Sequence, residues 1–139
     1  MPVLVDTSVW SLALRRQRVP AADEHLVRAL AELMLDARVA LIGPIRQELL
    51  SGIRDLAVFE RLMERLDIYH DEPVTSADYV TAARYANECR RHGIRGSGVD
   101  FLICAVATSR DWPIFTTDDD FAAYAKHLPI KLFQPGGVA

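Results

Sequence analysis

Short apolar runs that end at an acidic or turn-forming residue determine what this 139-residue chain can fold into. The first run, Val3–Val5, ends at Asp6 and is followed at once by Thr7 and Ser8. So short an aliphatic run predicts a buried strand, and the hydroxyl residues after it predict a helix start. The Asp6 carboxylate is therefore expected at the carboxyl end of a strand, where open α/β proteins bind ligands. The alternative role for Asp6 is that of a simple helix N-cap.

Further strand-like runs alternate with segments of helical periodicity along the whole chain. The predicted strands are residues 3–5, 39–42, 68–69, 114–116 and 130–133. The predicted helices cover about residues 8–14, 22–36, 45–50, 55–66, 75–91 and 99–111, with a last one ending near 127. This alternation predicts an α/β fold with a largely parallel sheet, whose right-handed crossovers bring the strand ends to one rim. Without a linker or repeat, residues 1–139 are expected to form a single domain.

Composition limits the compartment and the kinds of partner. Half of the residues are hydrophobic and the formal net charge is −3, which argues against a general electrostatic attraction to nucleic acid but not against a local basic patch. The only cysteines, Cys89 and Cys104, do not form a disulfide framework, so a reducing compartment is expected. With no leader pattern and no apolar stretch of membrane-spanning length, we expect a cytoplasmic protein that does not enter membranes.

Acidic residues recur where the predicted elements reach the shared rim. Asp6 ends the first strand, Glu48 follows the second, Asp100 opens an apolar helix, and Asp118 and Asp120 follow the fourth strand. Uncompensated carboxylates repel one another, so such a cluster favours a bound cation. An all-oxygen ligand set predicts Mg²⁺ or Mn²⁺. Ions of this kind activate water and stabilise the charge of an in-line phosphoryl displacement.

The motifs around these acids resemble those of PIN-domain ribonucleases, and their order most resembles the VapC toxins of bacterial toxin–antitoxin pairs. The motifs are Asp6-Thr7-Ser8, Glu48 within residues 47–52, Asp100 ahead of residues 103–107, and residues 116–121. The resemblance implies a PIN-like three-layer sandwich, with a mostly parallel five-stranded sheet in the order 3-2-1-4-5 and about seven helices. It also implies that the metal-directing acids are Asp6, Glu48, Asp100, Asp118 and Asp120, supported by the hydroxyls of Thr7, Ser8 and Thr116.

The same resemblance implies a function and its partners. The protein would be a Mg²⁺- or Mn²⁺-dependent endoribonuclease that cleaves single-stranded or loop RNA and leaves a 5′-phosphate and a 3′-hydroxyl. It would act as a toxin, form a homodimer, and be inhibited by a cognate antitoxin, with a higher toxin–antitoxin assembly as a further expectation.

Several alternatives remain open on the sequence alone. Asp119 could replace Asp120 in the acidic run 118–120. A catalytically inactive PIN-like binding module is one alternative function, and an acid-rimmed phosphatase or receiver domain is another, although Ser8 stands where such a phosphatase needs a second acid. The candidate RNA contacts are Arg15, Arg16, Arg18 and Arg95, and Arg90 and Arg91 are further cations that could steer a phosphodiester backbone to the site. For about half of this set a solvated surface is the simpler interpretation.

Overall fold

The computed structural model describes residues 1–15 and 18–136, which form seven α-helices and a short parallel sheet. The strands are β1 (Val3–Val5), β2 (Val39–Ala40) and β3 (Ile114–Phe115). The helices are α1 (Thr7–Leu14), α2 (Glu24–Leu35), α3 (Gly43–Leu50), α4 (Leu56–Leu66), α5 (Ser76–Arg91), α6 (Gly98–Arg110) and α7 (Asp120–Ala125), with a 3₁₀ turn at Ala21–Asp23 before α2. The predicted α/β fold is thus confirmed, as is the number of helices.

The sheet has the order β2-β1-β3, with both strand pairs parallel. Val3 is opposite Val39 and Leu4 is opposite Ile114. All three residues of β1 are fully buried, because the central strand of a parallel sheet is covered on both faces. The carboxyl end of β1 therefore delivers Asp6 directly from the core to the rim.

The predicted third strand, residues 68–69, is wrong for the described structure. The Arg46 side chain donates hydrogen bonds to the carbonyls of Leu66 and Tyr69, and it pairs with Asp71 at 2.9 Å. These carbonyls are directed toward a guanidinium rather than toward a neighbouring strand, so the segment forms no ladder with β2.

The predicted fifth strand, residues 130–133, is reduced to a single bridge between Leu132 and Ile114. The amide of Ile114 donates to the carbonyl of Lys131, and its own carbonyl accepts from Phe133, each at 2.8 Å. The ladder cannot lengthen toward Pro113, which has no amide hydrogen. Of the five predicted strands, the second, first and fourth form the observed sheet in that order, and the fifth segment lies beside the fourth strand. The predicted five-stranded sheet is therefore three-stranded in the described structure.

Helix α6 is the buried centre of the helical layers, and every residue from Phe101 to Ala107 is buried. A helix that is apolar on all sides can only be stable inside the protein. Its N-terminus is fixed by Ser97, whose hydroxyl accepts a hydrogen bond from the amide of Asp100 at 3.1 Å. The buried helix therefore anchors Asp100 in its first turn. In the part of the chain that the structure describes, no helix has the length and apolar character needed to cross a bilayer.

A buried ion pair joins the start of α5 to the end of α6. Asp78 is only 4% exposed, and the amide of Thr75 donates to its carboxylate at 2.9 Å within the capping box that the sequence predicts. Arg110 pairs with Asp78 at 3.3 Å and with Glu72 at 3.0 Å. Burial opposes ionisation of Asp78, but the Thr75 hydrogen bonds and the Arg110 guanidinium together outweigh it and hold the pKa of Asp78 below its usual value.

Replacing Arg110 with Met should lower the free energy of unfolding at pH 7 by about 3–5 kcal/mol, because it leaves a buried charge without its partner. Since the pKa of Asp78 is lowered in the folded state, its stabilisation is present above the unfolded pKa of about 4 and is lost as the pH falls through the folded value. Urea unfolding at pH 7 and pH 3 should therefore show a smaller difference between Arg110→Met and wild type at pH 3 than at pH 7. Arg91→Met, which removes an exposed ion pair with Glu88, is the control and should leave the midpoint unchanged. Equal losses for the two variants would contradict this account.

Candidate metal centre

Asp6 lies where β1 and β3 end side by side. Its amide donates to the carbonyl of Phe115 at 2.8 Å, and its carboxylate accepts hydrogen bonds from Ser8 and Thr116, each at 2.8 Å. Asp6 is 6% exposed and occupies the N-cap position of α1, but its side chain makes no capping hydrogen bond to that helix, so a side-chain cap does not account for its carboxylate. The two hydroxyls fix the orientation of a nearly buried carboxylate.

The loop after β3 is held by hydrogen bonds that run through the same hydroxyls. The amide of Thr117 donates to Ser8 and the amide of Asp118 donates to Thr116, both at 3.0 Å. The Asp118 carboxylate in turn accepts from the amide of Asp120 at 2.9 Å. This chain of contacts links the acidic run to Asp6 across more than a hundred residues of sequence.

Asp100 is brought to the same rim by α6 and is oriented by Tyr124 of α7. The Tyr124 hydroxyl donates to the Asp100 carboxylate at 2.7 Å. Burial raises the pKa of Asp100, and the charges of Asp6 and Asp118 raise it further, although the hydrogen bonds from Tyr124 and Ser97 oppose the rise. Burial and the bond to Asp100 also raise the pKa of Tyr124, so the phenol remains a donor.

Glu48 approaches the rim from α3, on the other side of Asp6. The Thr7 hydroxyl donates to its carboxylate at 3.4 Å. Burial raises the pKa of Glu48, followed in importance by the charge of Asp6, while the Thr7 hydrogen bond opposes the rise and the charge of Asp100 adds to it. The charges of Asp6 and Asp100 both raise the pKa of Glu48, which indicates that these three acids, from separate segments, lie near one another.

Three carboxylates lie close enough to bind one ion. Asp100, Asp118 and Asp120 each offer an oxygen atom, and these oxygens all lie within 4.8 Å of one another. Asp6, Glu48 and Asp119 are not part of this group. Of the five acids predicted to direct the metal, three thus have oxygens this close together, and Asp120 rather than Asp119 is among them. Among the described residues, no ion pair to lysine, arginine or histidine neutralises these acids. A set of hard oxygen donors without a counter-charge fits a divalent cation such as Mg²⁺ or Mn²⁺.

Two residues that shape the site, Tyr124 and Gly96, were not predicted from the sequence. A β-carbon at Gly96 would lie 2.1 Å from the Tyr124 hydroxyl and 3.1 Å from the Phe101 ring, so only glycine allows this approach. The only sequence signal for Tyr124 was that a buried tyrosine hydroxyl needs a partner. That signal does not identify Asp100 as the partner.

Gly96→Ala should displace Tyr124 and thereby release Asp100. We expect a loss of about 1–3 kcal/mol in the free energy of unfolding, the usual cost of overpacking. Gly98→Ala is the matched control, because nothing lies within 4 Å of a β-carbon there and its stability should not fall. Chemical denaturation of both variants measures the difference, and an unperturbed Gly96→Ala variant would show that the Gly96–Tyr124 contact is not tight.

One of the arginines that follow α1 lies beside Glu48. Arg15 lines a cavity of about 360 Å³ together with Thr7 and Glu48. Arg18 is exposed, and Arg16 lies outside the described residues. Of the three, Arg15 thus has a defined place beside a predicted site residue.

Arg95 lies on the opposite side of the first turn of α6. It lines a second cavity, of about 390 Å³, together with Arg90 and Gly96. This cavity adjoins the point where Gly96 contacts Tyr124, whose hydroxyl holds Asp100.

Comparison with known proteins gives both a family and structural neighbours. Residues 3–127 match the family model of the PIN domain. The structure resembles FitAcB from Neisseria gonorrhoeae with 23% sequence identity and a TM-score of 0.76, over 98% of this chain and 99% of that chain. It resembles VapBC2 from Rickettsia felis, solved with a DNA fragment from its promoter, with 17% identity and a TM-score of 0.71, over 96% of this chain and 98% of that chain. It also resembles VapBC-5 from Mycobacterium tuberculosis, a member of the VapBC family of toxin–antitoxin systems. The sequence identity is 27% and the TM-score is 0.57, over 96% of this chain and 98% of that chain.

No curated protein sequence matches this chain significantly. The family model nevertheless spans most of the chain, and the neighbours share its fold over nearly their whole length. The chain therefore belongs to the PIN domain family.

Proposed function

We propose that this single PIN domain is a metal-dependent endoribonuclease that hydrolyses phosphodiesters of single-stranded or loop RNA. Its catalytic acids would be Asp6, Glu48, Asp100 and Asp118, with Asp120 as a further metal ligand. The observation that carries the proposal is the convergence of oxygens from Asp100, Asp118 and Asp120, a group linked through Thr116 to the buried Asp6 carboxylate. So much uncompensated negative charge is costly to a fold unless a cation binds there.

The role of the chain's own residues is to hold the carboxylates in fixed positions. Four hydroxyls donate to them, namely those of Thr7, Ser8, Thr116 and Tyr124. Such contacts orient the ligands, and the loss of one typically lowers metal affinity by about 10- to 100-fold. A divalent ion held by these acids would supply the positive charge that makes a water molecule acidic and offsets the charge of the attacked phosphate. The products would carry a 5′-phosphate and a 3′-hydroxyl.

A single strand or a loop is the form of RNA that suits this site. The acids lie at the end of a sheet between α3, α6 and α7, and the cavities beside them are small. An RNA duplex presents its phosphates on a rigid A-form surface, whereas an unpaired segment can bend to bring one phosphate to the acids.

We further propose that the protein is the toxin of a toxin–antitoxin pair and acts in the cytoplasm. The support is its likeness to VapBC-5, described as a member of a toxin–antitoxin family, and to a toxin–antitoxin complex from Klebsiella pneumoniae. The partners would be a cognate antitoxin and a second copy of the chain, with a higher assembly of toxin and antitoxin as a further expectation.

The proposal is tested with purified protein, free of any antitoxin, and a panel of single-stranded and structured cellular RNAs. Cleavage in Mg²⁺ or Mn²⁺ that stops on addition of EDTA is the expected result. RNA that binds but is never cut, with either ion, would instead identify an inactive binding module. Cleavage that continues at the same rate in EDTA would contradict the role of the acids.

A further inference from the structure

Two arginine-lined cavities flank the acidic site, one on each side of the first turn of α6. We propose that the cavity formed by Arg90 and Arg95 binds a backbone phosphate of the RNA substrate, and that the cavity at Arg15 receives the same strand on the other side. The inference rests on the proposed function and adds to it the path of the strand. A bound RNA would then cross the acids between two basic subsites.

The first subsite is built by the end of α5 and the segment that leads into α6. Arg90 and Arg95 line this cavity of about 390 Å³, and Gly98 and Phe101 of α6 form another part of its wall. Asp100 lies between these two α6 residues in the sequence. The cavity is therefore within one helical turn of an acid of the proposed centre.

The second subsite begins at the next residue of α6. Val99 lines the cavity of about 360 Å³ that also contains Arg15 and Glu48. Because Gly98 and Val99 are consecutive, both cavities border the first turn of α6, the turn that carries Asp100. A strand that occupied both would run along this turn, beside Asp100.

The charges of these arginines are suited to a phosphate. In the part of the chain that is described, Arg15, Arg90 and Arg95 belong to none of the ion pairs. Within the described residues, the Arg90 side chain donates a hydrogen bond of 3.2 Å to the neutral amide oxygen of Asn87. Arg91, the next residue of α5, is by contrast paired with Glu88.

The need for such subsites follows from the charge of the molecule. A protein with a net charge of −3 and a cluster of carboxylates at its site repels a polyanion at long range. Guanidinium groups bind phosphate through paired hydrogen bonds, and positive charge beside the acids offsets the repulsion locally. Arg90, Arg95 and Arg15 supply that charge on both sides of the acids.

The test compares two double variants of equal charge change, Arg90→Ala/Arg95→Ala and Arg84→Ala/Arg91→Ala. The control pair is also exposed, and Arg84 and Arg91 line a different cavity, beside His127. For cleavage of a single-stranded RNA oligonucleotide in Mn²⁺, we expect the first variant to raise KM about tenfold or more with kcat nearly unchanged, as for a loss of uniform binding. The slope of log KM against log salt should fall by about 1.4, or roughly 0.7 for each lost phosphate contact on a single strand. The control pair should change neither quantity.

Substrates shortened from one end make the test specific to the path of the strand. When the nucleotides that reach the Arg90 and Arg95 cavity are removed, wild type and the first double variant should become equal, while Arg15→Ala should still weaken binding. When the RNA is shortened from the other end, Arg15→Ala should become equal to wild type, while the first double variant should still bind more weakly. Circular dichroism and thermal unfolding check that each variant is folded, and Arg90→Lys/Arg95→Lys should recover part of the lost affinity.

Two results would overturn the inference. If wild type cleaves RNA but the two double variants have the same KM and salt dependence, the cavities are not strand subsites. The same conclusion follows if shortening the RNA from either end has the same effect on wild type and on the variants. In both cases the ribonuclease proposal stands. If wild type neither binds nor cleaves any RNA, the proposed function and this inference fail together.

Discussion

Asp6→Asn should reduce the rate of RNA cleavage by about a thousandfold or more while the protein keeps its fold. The substitution removes one negative charge at nearly constant shape, and the amide oxygen can still accept the hydrogen bonds from Ser8 and Thr116. A metal site contributes several kcal/mol to stabilising the transition state, and a loss of about 4 kcal/mol corresponds to a thousandfold in rate.

Asp119→Asn is the matched control for this substitution. It removes the same charge from the acidic run, but Asp119 is exposed and is not one of the three acids whose oxygens lie together. Its cleavage rate should stay within a few-fold of wild type, and thermal unfolding should show that both variants are folded. Wild-type cleavage by Asp6→Asn protein would remove this acid from the mechanism.

Addition of Mn²⁺ should stabilise the folded protein strongly at neutral pH. An ion present at a hundredfold excess over its dissociation constant raises the free energy of unfolding by about 2.7 kcal/mol. The pKa values of Glu48 and Asp100 are raised in the folded state, so without an ion their contribution to stability decreases as the pH rises from their unfolded values, roughly 4, through the folded ones. The ion removes this penalty, and its effect should be small at pH 4 and large at pH 7.5.

Thermal unfolding in Mn²⁺ and in EDTA at these two pH values measures the effect. The double variant Asp118→Asn/Asp120→Asn should lose the Mn²⁺-dependent increase, whereas Asp119→Asn should retain it, because only the first removes oxygens of the three-acid group. The same increase in both variants would place the ion elsewhere in the protein.

The parts of the fold that the sequence predicted are those governed by local rules. The Val3–Val5 run, the all-apolar face of α6 and the Thr75–Asp78 capping box each have a signature within a few residues. Convergence of the acids also follows from local information, since parallel strands end at one rim whatever their exact length. For that reason Asp100, Asp118 and Asp120 could be grouped from the sequence.

The parts that it did not predict depend on contacts between distant residues. The segment 68–69 has a strand-like composition, but Arg46 binds the carbonyls beside and within it. The contact of Gly96 with Tyr124, which positions Asp100, joins residues 28 positions apart and leaves no pattern in the sequence. Side-chain competition of this kind is decided by packing rather than by propensity.

The chemistry of the RNA ends tests the central claim most directly. A defined single-stranded RNA is incubated with wild-type protein in Mn²⁺ and in EDTA, and the new termini are identified by mass spectrometry. Hydrolysis by water at a carboxylate-held metal predicts 5′-phosphate and 3′-hydroxyl ends that appear only with the ion. Ends bearing a 2′,3′-cyclic phosphate, formed equally well in EDTA, would show that the ribose hydroxyl attacks without a metal and would contradict the account.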